Sequence, residues 1–165
     1  MKKWVSLFLF FCMILTLCSC TAKDKNAGKT LRFELDTQPK TLDPLLAQSV
    51  SERLIVQNIY EGLMRIGTDG TLLQGAAESY TVDESQKIYT FTLRKGVKWS
   101  DGKPLTAADF VFGMRRALLP ATKSPVASAL FPIKYAREVN SGSAAADFLA
   151  VTAVDEATLR IELSE

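Results

Sequence analysis

Histidine is missing from all 165 residues. That absence removes the commonest general base, the commonest metal ligand and every nucleophile-histidine triad. Cysteine is nearly missing as well. Only Cys12, Cys18 and Cys20 occur, so nothing after residue 20 can form a disulfide or a thiolate metal site. A surplus of one charge sign is also lacking: twenty basic against eighteen acidic residues leave +2, evenly spread. Such a balance offers no basic stripe for a phosphate backbone, which argues against a nucleic-acid partner. No spaced acidic loop of the calcium type is present, and neither metal nor cofactor is expected. Ser100 and Ser124 have no histidine to activate them and no serine-lysine spacing motif. Asp101 and Asp109 remain as a carboxylate pair, but each has a local duty, in a turn and in a helix cap. An enzyme is therefore not expected. What is present, 47% apolar and 23% charged residues, is the composition of a globular protein.

The N-terminus reads as an address. Met1-Lys2-Lys3 leads into an uncharged run from Trp4 to Ala22, rich in Leu, Phe and Ile, which is the layout of a signal peptide. The run is also long enough for a membrane span. Its end decides in favour of the signal: Leu17-Cys18-Ser19-Cys20 resembles the bacterial lipobox. The resemblance implies removal of residues 1–19 and a diacylglycerol on the Cys20 sulfur, a two-chain membrane hold. Loss of Lys2 and Lys3 cancels the net charge. Residues 20–29, with Lys23, Asp24, Lys25, Asn26, Gly28 and Lys29, have little to bury and read as a flexible tether.

Regular structure is expected from residue 30 onward. Leu31-Arg32-Phe33-Glu34-Leu35 alternates as a strand does, and Pro39 and Asp43-Pro44 break the pattern. Ser51 reads as the N-cap of a helix whose Leu54, Ile55, Ile59, Leu63 and Met64 form one apolar stripe, closed near Gly62. Met64–Ile66 predicts a brief strand before the turn cluster Gly67-Thr68-Asp69-Gly70. Tyr80–Val82 and Ile88–Leu93 flank Asp83–Gln86 as a hairpin whose core face carries Tyr89, Phe91 and Leu93. Thr106 with Asp109 opens a second helix, stopped by Pro120. Ile133–Val139 predicts a short helix closed by Asn140-Ser141-Gly142, and two strands follow at Leu149–Val154 and Leu159–Leu163. Helices mixed with hairpins imply an α+β fold. The last strand reads as an uncovered edge, which leads us to expect a continuation beyond residue 165.

Three ordered blocks carry a family resemblance. They are Gln38-Pro39-Lys40-Thr41-Leu42-Asp43-Pro44; Asn58-Ile59-Tyr60-Glu61-Gly62-Leu63; and Phe91-Thr92-Leu93-Arg94 followed by the run from Gly96-Val97-Lys98-Trp99-Ser100-Asp101-Gly102 to Asp109-Phe110-Val111. With them the sequence resembles the bacterial extracellular solute-binding proteins of family 5, the oligopeptide, dipeptide and nickel receptors of ABC importers. The resemblance implies that residues 30–165 are the N-terminal portion of a periplasmic-binding-protein type II-like fold, part of the first lobe plus its inserted subdomain. It also implies a peptide ligand held through main-chain hydrogen bonds, permease subunits as partners, and a lipid-anchored location facing the periplasm or cell surface. By position, Gln48, Ser49 and Val50 would line the cleft. Oligopeptide-type members often carry an aromatic residue after a Ser-Pro pair in the loop following the second helix; here Ser124-Pro125 precedes Val126, the remaining candidate ligand contact. The third block itself reads as a strand-turn-helix joint, with Trp99, Asp101 and Asp109 in packing, turn and cap. Family members run to several hundred residues, so the chain is expected to be a truncated receptor offering one wall of a cleft and binding weakly. The competing reading is a surface lipoprotein that uses this lobe for adhesion or docking.

Overall fold

A computed structural model describes residues 32–164. The expected leader 1–19, the expected acyl site Cys20, the expected tether 20–29 and Leu31 lie outside the described residues. The chain divides into two units, Met1–Leu35 and Asp36–Glu165. In the first, residues 32–35 form no strand. Period-two alternation marks a face but supplies no hydrogen-bonding neighbour, and none of the described strands pairs with this segment.

The second unit opens with a loop and then α1, Val50–Ile59. Its N-cap is Ser49, not Ser51, because Ser49 has an acidic partner three residues on, Glu52, whereas Ser51 meets Leu54 there. The helix ends at Ile59, with Tyr60 extended, and Gly62 lies beyond it. The expected apolar stripe is buried only in part: Ile59 is 57% exposed and Leu54 37%, whereas Leu63 and Met64 lie beyond the helix end and pack half-buried against the core, and the buried positions of α1 are Ser51 and Glu52.

β1 (Met64–Ile66) and β2 (Leu72–Gln74) form an antiparallel hairpin around Gly67–Gly70. β3 (Ala77–Val82) and β4 (Ile88–Leu93) form the second hairpin. The hairpins join through Gly62 and Leu63, whose carbonyls accept the N–H groups of Ala76 and Ala77 at 2.8 and 2.9 Å. Next come α2 (Ala107–Leu118), a one-turn 3-10 helix at Pro120–Thr122, and α3 (Ala136–Ser141), which ends at Gly142 in the left-handed region. β5 (Val151–Ala153) and β6 (Thr158–Glu162) complete an antiparallel sheet in the order β3-β4-β6-β5. This corrects the expectation of an uncovered edge: β6 is an interior strand, bonded to β4 and β5, and α2 packs over β5 and β6.

The core lies between that helix and the sheet. Leu118, Val139, Val151 and Leu159 are completely buried, with Val111, Ile133 and Ile161 around them. Toward β3 the same sheet face opens. The Tyr80 ring lies 5.7 Å from Phe91 and 6.4 Å from Tyr89, but Tyr80 and Val82 remain exposed.

Candidate functional site

The segment before α1 is built by short-range bonds. Asp43 accepts the Leu45 N–H on its carboxylate at 3.1 Å and the Leu46 and Ala47 N–H groups on its carbonyl, so Asp43-Pro44 folds into a tight turn. A long-range contact then fixes the turn. Arg116, in the last turn of α2, grips the Asp43 carboxylate with two nitrogens, Nη1 to Oδ1 at 3.1 Å and Nη2 to Oδ2. This grip holds the Asp43 carboxyl below its ordinary value of 3.8 and raises the guanidinium. Two hydroxyls complete the joint: Ser124 Oγ donates to the Leu45 carbonyl and Thr122 Oγ1 to the Arg116 carbonyl, each at 2.6 Å.

The segment carrying Gln48, Ser49 and Val50 is thereby tied to the loop carrying Val126. Gln48, Val50 and Val126 are exposed; Ser49 is half-buried because it caps α1. Its hydroxyl accepts the Glu52 N–H at 3.1 Å. Glu52 in turn accepts the N–H groups of Lys40, Gln48 and Ser49, each at 2.9 Å. Those backbone bonds lower the Glu52 pKa to about 2. Beyond the structural Asp43–Arg116 ion pair, the arrangement is a surface of fixed backbone that presents Gln48, Val50 and Val126 to solvent.

The second and third sequence blocks meet elsewhere. Glu61 pairs with Arg94 at 3.0 Å and Arg65 at 3.4 Å. Beside it an open groove of about 420 Å³ is lined by Tyr60, Val97, Trp99, Leu105 and Phe110. Trp99 is 42% exposed there, more open than a packing role requires, while its backbone closes the turn with Gly102 and Lys103. Asp101 accepts the Lys103 N–H at 3.0 Å, and Asp109 accepts the Thr106 N–H and hydroxyl at 2.8 and 3.0 Å. A larger groove of about 740 Å³, lined by Phe131, Lys134, Tyr135, Arg137 and Glu162 among others, includes none of the expected site residues.

Sequence reasoning missed Glu52 and Arg116. Ser49-x-x-Glu52 is a capping-box signal that would have found the first. For Arg116 no local signal exists, since its partner is 73 positions away.

The family model described as bacterial extracellular solute-binding proteins, family 5 Middle, matches residues 71–165. The oligopeptide-binding protein OppA of Bacillus subtilis is 37% identical over 99% of this chain and 32% of its own length. The Escherichia coli murein tripeptide binding protein MppA superposes with a TM-score of 0.75 at 38% identity, over 79% of this chain and 26% of that one. Haemophilus influenzae OppA in complex with the peptide RPPGFSPFR superposes with a TM-score of 0.72 at 35% identity, over 76% of this chain and 25% of that one. The chain spans about a quarter to a third of the length of the curated relatives it matches.

Proposed function

Because the chain belongs to the bacterial extracellular solute-binding proteins of family 5, we propose that it captures peptides outside the cytoplasmic membrane for delivery to the permease of an ABC importer. The observation that carries this reading is the 37% identity to an oligopeptide-binding protein across 99% of the chain. The geometry is compatible with it. The joined segments 43–50 and 122–126 form one wall, with Gln48, Ser49, Val50 and Val126 as the residues that touch ligand. Such a wall works by contact and backbone hydrogen bonding, so the lack of histidine is no handicap. Cys20 is the lipid attachment point, reached after removal of residues 1–19, and keeps the domain at the outer face of the membrane, in the periplasm or at the cell surface.

The wall formed by residues 43–50 and 122–126 meets a ligand on one side, so its affinity when these 165 residues are tested alone should be weak, on the order of millimolar. Titrating short peptides such as tri-alanine into the isotope-labelled chain should move the amide resonances of Gln48, Ser49, Val50 and Val126 in a saturable way. Shifts confined to the Trp99 groove would relocate the site, and the absence of any shift would sink the peptide reading. Mass spectrometry of the chain from a bacterial membrane should find an N-terminal acylated Cys20; an intact leader would refute the anchor.

A further inference from the structure

We infer that Glu52 is the positioning residue of the ligand wall, its carboxylate holding the backbone of Lys40, Gln48 and Ser49 in one shape. This rests on the reading of residues 48–50 as ligand-facing. Glu52 is only 5% exposed, and none of the ion pairs among the described residues includes it. A buried carboxylate ordinarily needs a cation. Here its charge is met by backbone N–H groups instead: Oε1 takes Lys40, and Oε2 takes Gln48 and Ser49.

A helix cap alone does not explain that set. A capping box requires the Ser49 N–H and nothing more. The bonds to Gln48 and Lys40 reach outside the helix, the second across twelve positions, and fasten the loop onto α1. Ser51 adds to the same fastening, its hydroxyl oxygen accepting the Thr37 N–H at 3.3 Å. The consequence reaches the ligand. The amides of Gln48 and Ser49 are spent on Glu52, and the Ser49 carbonyl accepts the Arg53 N–H at 3.0 Å, so a peptide laid on this segment donates to the Gln48 carbonyl and can donate to or accept from the Gln48 side-chain amide.

The test uses the chain's own chemistry. A glutamine at position 52 has one acceptor oxygen and cannot serve both sides. Glu52→Gln should therefore free Lys40 while holding Gln48 and Ser49, or the reverse; Glu52→Ala should free all three. Amide hydrogen exchange in the full chain reads this directly, with at least tenfold faster exchange expected at the freed positions and unchanged protection at Tyr89 and Ile161. Tri-alanine affinity should fall at least fivefold in Glu52→Gln. Unchanged exchange at all three amides in both variants would overturn the inference, as would uniform acceleration across the chain, which marks a purely structural role. Freed amides with unchanged tri-alanine affinity would also overturn it. If the unsubstituted chain gives no peptide response, the ligand-wall reading fails, and exchange alone still decides whether Glu52 shapes the segment.

Discussion

Asp43 and Arg116 meet because α2 delivers a guanidinium from its last turn to a carboxylate in the turn before α1. A flat, two-pronged guanidinium is what fits that carboxylate, and lysine would not replace it. The pair is half-exposed, so solvent screening keeps its contribution modest. Its pH signature follows from the direction of the shift. Asp43 has a folded pKa below its ordinary 3.8; its stabilisation is present above that value and is lost as pH falls through the lower, folded one. Arg116→Gln should raise the Asp43 pKa toward the ordinary value and make stability below pH 3.8 less steep, as read by thermal midpoints between pH 7 and pH 2. An Asp43 resonance that titrates identically in the variant would show that the contact is ornamental. Glu52 carries the same sign, its share fully present above 4.5 and lost toward about 2.

At the scale of elements, local patterns were readable wherever a few adjacent residues decide the outcome. The β3–β4 hairpin, the α2 start at Thr106 and the Gly142 stop were all read from neighbours in sequence. The turn at Asp83–Gln86 closes through the Asp83 carboxylate, which accepts the Ile88 N–H at 2.8 Å, and it leaves Gln86 at φ 59°. A side chain in that region is strained, so Gln86→Gly should stabilise the domain by about 0.5–1 kcal/mol in urea unfolding. A loss of stability would mean the Gln86 side chain does something the geometry does not reveal. The opposite case is Gly75. A Cβ there would press into the Gly62 and Leu63 carbonyls, at the crossing that joins the two hairpins. Gly75→Ala should cost about 2–4 kcal/mol, again by urea unfolding, because backbone on both sides has nowhere to go. Gly62 thus serves that crossing and does not mark the helix end expected from sequence, which the structure sets at Ile59.

Across the second unit, the burial of apolar surface is uneven. The core under α2 is closed, whereas α1 and the β1–β2 hairpin leave Val50, Ile59, Ile66, Leu72 and Leu73 open. Exposed apolar surface of this kind promotes association. Ile59→Lys combined with Ile66→Lys should reduce concentration-dependent association in sedimentation experiments while changing stability by no more than about 0.5 kcal/mol per site. A large destabilisation would show that these side chains pack in the isolated chain after all.

The amino-acid order by itself determined the family, the α+β class and most element positions, since motif blocks, caps, turns and period-two alternation each depend on residues within a few positions of one another. It carried the candidate contacts Gln48, Ser49, Val50 and Val126 only through family likeness, because no local rule says which exposed loop faces a ligand. Tertiary structure alone decided the interior place of β6, the partial exposure of the α1 stripe and the grip of Arg116 on Asp43. Those outcomes depend on segments brought together across long stretches of chain, where strand pairing and helix packing compete for the same surfaces, and adjacency in sequence holds no record of which pairing wins.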